Sequence, residues 1–519
     1  MKKRNGFIGI GKMMALALGL GLLFSCDDFF DPSQDLIQEK GDHYNTLDKV
    51  RRATIGSYAK LQDLVEGLVV MGDLRADLMT VTRNYDPFLL QLDRHQTLSE
   101  DNPYADPRPY YDVILNCNDV LTNIEKAKVD PKMTDDVMNM YIAEVKTLRA
   151  WVYFQLIQTY KTVPVVKEAL DGEVPGYEPR EYGESDMINW LLSEMKWAEE
   201  QAVPDWKLID GDGKEISQPW HLTRVSRKAL YGELLLYAGD YQTAAEKLRA
   251  CIAEQEGNYL KVSNLSGGLN WRSYWDRVTL EGGSALEHLT TIPFSKSNHQ
   301  TNGLLEIFSN ETPGKYLLRP TVGSVKYWDG KKADGSLYRD FFRGLGSSYM
   351  VLEGDTVVVK YLNNKNNFLD DAVYPIYRAA DIHLLFAEAI NRLGRSEEAL
   401  AVINSEIDGI QDVDGIRGRV GLDPIDILDL ADLHPEVKTN MELVEYALLD
   451  ERARELAFEG RRWNDLMRFA KRANRPEWLA ERVASKYRVS NPELADELET
   501  KLGSEDNWKL TMPRIKEGQ

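Results

Sequence analysis

Cysteine is scarce: the 519 residues hold three, Cys26, Cys117 and Cys251, with no Cys-x-x-Cys pair and no Cys/His cluster. A thiolate zinc site is therefore not what organises this chain. Cys117 and Cys251 lie in helical apolar patterns and read as buried free thiols. Also missing are His-Glu-x-x-His, a nucleophile elbow and a dinucleotide-type glycine fingerprint. The seven histidines are scattered, and His383, on an apolar helical stretch, reads as a core residue. No catalytic, metal or cofactor set emerges, and the chain is read as a non-enzyme that needs no cofactor. Basic charge is in deficit, with 63 Lys and Arg against 83 Asp and Glu, a net −20. That excludes nucleic acid, or an anionic lipid surface, as the main partner and suits a neutral or cationic ligand. No apolar run is long enough to cross a bilayer.

What is present begins at the N-terminus. Lys2, Lys3 and Arg4 precede an apolar run from Met13 to Phe24, closed by Ser25 and Cys26. This is the layout of a secretory signal. Gly6, Gly11 and Lys12 match a phosphate-loop spacing by accident, since no strand precedes them and no Ser or Thr follows Lys12. Leu23-Phe24-Ser25-Cys26 looks like a bacterial lipobox, in which the Cys26 sulfur would receive a diacylglycerol. Several acyl chains anchor a soluble body firmly, each buried methylene contributing ~0.8 kcal/mol. The expected organisation is a signal peptide over 1–25, a lipidated tether over 26–42 and a single domain over 43–519.

The domain reads as mainly α. Apolar residues recur at helical spacing over 48–59, 113–124 and 141–160, the last stopping near Pro164. Two segments share a small-x6-Gly-x4-Ala spacing: Gly232, Gly239, Ala244 with Leu248, and Ala387, Gly394, Ala399 with Ile403. The central Gly ends one helix and the outer small residues let two antiparallel helices pack closely, as in a tetratricopeptide-type unit. The units are far apart in the chain, so a simple tandem array is not expected. A helical scaffold is assigned to 43–255 and 376–519. The intervening 256–375 is rich in Gly, Asn, Trp and Tyr, with only short β-like runs such as Thr356–Val359, and reads as a loop-rich insertion. Residues 409–440 look irregular, and one last helix is predicted from about Glu442 to Ala473.

Five segments, in order, resemble the SusD/RagB family of nutrient-binding outer-membrane lipoproteins. They are the lipobox with Cys26-Asp27-Asp28-Phe29, Asn116–Leu121, Glu144–Phe154 with Val163-Pro164, Ala380–Ala389 with Asn391 and Gly394, and Asp450–Leu466. The departure is at the end, where Thr511–Ile515 is a remnant of the family's usual finish and 474–510 is a charged helical extension. The resemblance implies a tetratricopeptide-like helical scaffold carrying a long irregular ligand-bearing part. It implies a surface location through the lipid anchor alone, a SusC-type TonB-dependent transporter as partner, and glycans, or for some members peptides, as ligand.

The Glu451–Asp465 motif gathers acids and arginines, but Glu451, Glu455 and Glu459 fall on helical spacings, as do Arg454, Phe458 and Arg461/Arg462. It reads as scaffold held by ion pairs, and losing Arg454 is expected to impair folding. Ligand contacts are sought among loop aromatics near amides and acids, because a sugar's C–H face stacks on an aromatic ring. The candidates are Asn84 and Tyr85, Trp271 and Tyr274, Tyr316, and Trp328, with Trp275 assigned to the core. The alternatives weighed are a peptide-binding member of the same family, a surface hydrolase built on some pair of the many carboxylates, and a structural scaffold.

Overall fold

The structure, a computed structural model, describes residues 44–170, 178–201, 221–253, 288–295, 298–311, 314–331, 337–340, 342–361, 372–404, 415–420 and 422–513. Cys26, the signal, the tether, Trp271 and Tyr274 lie outside the described residues.

Long helices carry the fold. They are α1 Leu47–Ala59, α2 Pro87–Asp93, α3 Arg108–Asn123, α4 Asp135–Thr159, α5 Glu184–Gln201, α6 Arg224–Ala238, α7 Tyr241–Ala253, α8 Ala379–Arg392, α9 Ser396–Asn404, α10 Asn440–Leu456, α11 Arg462–Ala473, α12 Glu477–Ala484 and α13 Pro492–Leu502. Local chemistry sets their ends. Thr134 caps α4 by accepting from the Val137 N–H, with Asp135 and Asp136 in the first turn. Gly239 closes α6 in a left-handed conformation, φ 85°.

From α3 to α13 each of these helices packs on the next, except that α10 packs on both α8 and α9. The two glycine-spaced units are the hairpins α6–α7 and α8–α9. Their close approach is real: a Cβ at Gly232 would stand 2.6 Å from Leu248 Cγ. Although far apart in sequence, the units are neighbours in space, because α7 packs directly against α8. The helices thus form a continuous stack, and the described residues from 288 to 378 form a looped-out segment beside it.

Among the described residues the strands are short and pair in twos, all antiparallel. β1 Met79–Val81 pairs with β5 Leu318–Pro320, β2 Thr162–Val165 with β3 Arg180–Gly183, and β4 His288–Ile292 with β10 Tyr374–Arg378. β6 Asp329–Lys331 pairs with β7 Leu337–Arg339, and β8 Tyr349–Leu352 with β9 Asp355–Val358. The β4–β10 ladder, His288 opposite Arg378 and Ile292 opposite Tyr374, forms a neck that brings together the two ends of the segment between them.

One expectation fails. The predicted helix from 442 to 473 is two helices, α10 and α11, joined by an elbow in which Phe458 (φ 67°) and Gly460 (φ 73°) are left-handed. The cause is tertiary. Gly460 passes so close to the turn at Leu68 that a Cβ would lie 2.7 Å from the Leu68 carbonyl oxygen. Its N–H donates to Asp73 Oδ2 at 2.7 Å.

The Glu451–Asp465 motif is scaffold, but its partners are mostly not its helical neighbours. Arg343 donates to Glu451 and Glu455 at 2.7 and 2.9 Å, Arg378 to Glu455 at 2.7 Å and to both Glu459 oxygens at 2.8 and 2.9 Å, and Lys360 to Glu459 at 2.5 Å. All six side chains are buried. Residues of the looped-out chain and of β10 thus supply the cations, and α10 with the elbow supplies the carboxylates. Burial alone would raise the Glu451 carboxyl. The guanidiniums of Arg343, Arg454 and Arg417 outweigh it and hold the group at about 2. Arg454 also donates to the Tyr327 carbonyl at 2.7 Å.

Candidate ligand-binding site

The short ladder β1–β5 brings two of the predicted loops together. Its pairing continues past Val81: the Thr82 N–H donates to the Leu317 carbonyl at 2.9 Å, and the Thr82 hydroxyl donates to the Tyr316 carbonyl. That hydroxyl is buried and serves twice, accepting from the Asn84 N–H at 3.0 Å. The Asn84 amide then donates to the Lys315 carbonyl at 3.2 Å. On the far side Asp86 caps α2, its carboxylate accepting from the Phe88 N–H at 2.7 Å ahead of Pro87 in the first turn. The loop is fastened on both sides of Tyr85. The Tyr85 ring is left outside, 47% exposed.

Two ion pairs flank it. Arg83 donates to both oxygens of Asp355, at 2.6 and 2.8 Å. Asp355 sits at the end of the tight β8–β9 turn, where Glu353 and Gly354 both have positive φ. Hydrogen bonding from Arg83 holds the Asp355 carboxyl below the usual carboxylate range. On the other side Lys315 pairs with Glu306. Behind the loop, half-buried Glu66 and Tyr104 line a pocket of about 190 Å³ with Asp63, Asp106 and Tyr110. Burial raises the Glu66 carboxyl; a hydrogen bond with Tyr104 opposes the shift, and the Glu306 and Asp86 carboxylates add to it. The surroundings of Tyr85 therefore offer an aromatic face, an amide, paired charges and an excess of acid.

Asn84 and Tyr85 stand in this site. Trp328 and Tyr316, predicted as contacts, do not present a face to it. Trp328 is 1% exposed, packs on Tyr349 and Phe458, and donates its indole N–H to the Arg454 carbonyl at 3.2 Å. Burying the large indole with its one donor satisfied makes it core. Tyr316 is also buried. The Arg83 guanidinium lies over its ring at 5.7 Å and its hydroxyl donates to the Thr356 carbonyl at 3.0 Å. It shapes the site by holding the Arg83 and β9 sides together. Sequence reasoning missed Arg83, Lys315 and Asp355. Arg83 adjoins Asn84 and was within reach of the same argument. Asp355 had no signal, since only the hairpin turn brings it back to residue 83.

A second cavity, of about 530 Å³, lies where the end of α6 meets α11 and the C-terminal segment. Lys471 and Lys509, which line it, are both paired with Glu184.

Comparison with known proteins agrees with this architecture. The SusD family model matches residues 314–512, which span the β8–β9 hairpin, β10 and the Glu451–Asp465 motif. The C-terminal part of the chain is thus similar to the SusD family. It is 23% identical over 503 residues to SusD-like protein P38 of Formosa agariphila, covering 90% of this chain and 92% of that one. Its fold is that of a SusD superfamily protein from Bacteroides thetaiotaomicron, with a TM-score of 0.64 at 19% identity, covering 89% and 94% of the two chains. A laminarin-binding SusD-like protein superposes with a TM-score of 0.58 at 17% identity, covering 91% and 97%. Like those proteins, this chain is mainly helical, with a few short strands among the described residues.

Proposed function

We propose that this chain is a non-catalytic surface lipoprotein, anchored through Cys26 in the outer membrane, that binds glycan and delivers it to a SusC-type TonB-dependent transporter. The observation that carries the binding step is the Tyr85 ring, exposed on a loop tied down on both sides and flanked by Asn84, Arg83–Asp355 and Lys315–Glu306. A flat ring can take the C–H face of a sugar, while a fixed amide and fixed charged groups can bond its hydroxyls. The match to the SusD family model and the laminarin-binding protein of similar fold support a carbohydrate ligand. The lipobox supports the anchor, and among the described residues no helix is long and apolar enough to cross a membrane. A cationic peptide is the second reading, supported by Glu66, Asp86 and Glu306 beside the ring.

The test is binding of laminarin, amylose and a set of neutral polysaccharides, beside oligopeptides rich in lysine, by the purified chain. Retention of a polysaccharide without release of reducing ends is expected. Tyr85→Ala should weaken it roughly tenfold, one stacked ring contributing on the order of 1 kcal/mol. Binding of the peptides alone would replace the glycan reading, and turnover would overturn both. Cys26→Ala should move the chain out of the membrane fraction; retention there would exclude the lipid as the anchor.

A further inference from the structure

The C-terminal segment that follows α11 reaches the back of the candidate site. α12 ends at Ala484, and the next turn carries Lys486 and Tyr487, both pointed at Asp93, the last residue of α2. Lys486 Nζ donates to Asp93 Oδ1 at 2.6 Å and to the Leu74 carbonyl at 2.8 Å. Tyr487 donates its hydroxyl to Asp93 Oδ2 at 2.6 Å. The same carboxylate takes two bonds from β1, from the Thr80 hydroxyl at 2.8 Å and the Val81 N–H at 3.3 Å. Asp93 and the Lys486 side chain are buried, with 0% and 1% exposure.

The topology gives this node its meaning. The loop that carries Tyr85 runs from the end of β1 to the start of α2. Asp93 fastens the far end of α2 back onto β1, so the strand and helix that hold the loop are tied by one carboxylate. An ionised carboxylate in that place requires several donors to offset its desolvation. β1 supplies two of them and the C-terminal turn the other two. We infer that Lys486 and Tyr487 are positioning residues of the Tyr85 site, setting through Asp93 the angle between β1 and α2 and hence the placement of the loop.

This rests on the reading of Tyr85 as the ligand platform, and the experiment separates the two. Amide exchange is measured on the full chain and on Tyr487→Phe, which removes one hydroxyl and keeps the ring. Leu248→Ala, in the α6–α7 hairpin, is a control destabilised elsewhere. Positioning predicts about tenfold faster exchange confined to residues 79–93 in Tyr487→Phe. It also predicts about tenfold weaker laminarin binding in that variant, with affinity unchanged in the control. Exchange that rises uniformly in Tyr487→Phe, as in the control, or affinity that stays at the wild-type value, would overturn the proposal. Lys486→Met checks the other donor and should show the same confined pattern. A wild-type chain that binds neither laminarin nor any other polysaccharide sinks the glycan reading alone, and the exchange pattern still decides the positioning.

Discussion

At the scale of single residues, the ionic chemistry of this protein divides in two. Around Tyr85 the pairs are at the surface: the Arg83 side chain is 69% exposed and Lys315 61%. Such pairs orient groups and contribute little to stability. Around Glu455 the charges are fully buried, with Arg343, Arg378 and Arg419 converging on one carboxylate. Removing that charge leaves three guanidiniums with fewer acceptors in a dry interior. Glu455→Gln should destabilise the protein by about 3–5 kcal/mol, read as a lowered urea midpoint. A midpoint unchanged within error would mean that the cluster is not what holds the looped-out chain down. The division also explains which residues the sequence made legible. Tyr85 and Trp328 look alike on paper, each an aromatic beside an acid in a region of turns. What separates them is burial, and the partner that covers Trp328 is Phe458 on the elbow, 130 positions away. The acids of the Glu451 motif were recognisable as scaffold, yet Arg343, Lys360 and Arg378 carried no mark of pairing with them.

At the scale of elements, the readable features were those whose cause is local. The hairpins α6–α7 and α8–α9 follow from Gly239 and Gly394, both left-handed, and from small residues at the crossings. The α10–α11 elbow was unreadable because nothing in 457–461 forbids a helix except contact with the turn at Leu68 and Asp73. Gly460→Ala must take a left-handed conformation and push against the Leu68 carbonyl, so it should cost at least about 2 kcal/mol. The measurement is the loss of thermal stability, and an alanine variant as stable as wild type would show that the elbow can rearrange. The loop at Tyr85 belongs to the same class. Its sequence suggested exposure, but only the β1–β5 ladder explains why it stands beside Lys315.

At the scale of the whole molecule, buried carboxylates of opposite kinds set the response to pH. For Glu451, Glu388 and Asp77 burial alone would raise the carboxyl, but neighbouring guanidiniums prevail and hold each at about 2 in the folded state. Unfolded, such groups titrate near 4. Their folded values are depressed, so the stability they confer is present above about pH 4 and lost as pH falls towards 2. Asp73 goes the other way. Burial raises it to about 7, against the pull of the Gly460 and Arg462 N–H groups. A raised value means stability present below about pH 4 and lost as pH rises through 7. The urea midpoint should therefore peak near pH 4, fall steeply below it, decline between about pH 4 and 7 and level off above 7. Asp73→Asn should flatten the alkaline side, and a decline that survives the substitution would remove Asp73 as its cause.

The neck formed by β4 and β10 bears on how such a protein could be rebuilt. The two ends of the looped-out segment lie side by side, His288 facing Arg378. A segment inserted or exchanged beyond that doorway changes neither the spacing of the helices nor their order. The looped-out chain is then a cassette, and Arg343 and Lys360 are its keys, since each must find its carboxylate on α10 or the elbow. A transplanted cassette that keeps the two keys and the strand that pairs with β1 should seat on this stack with a different binding surface, whereas one without the keys should seat less stably.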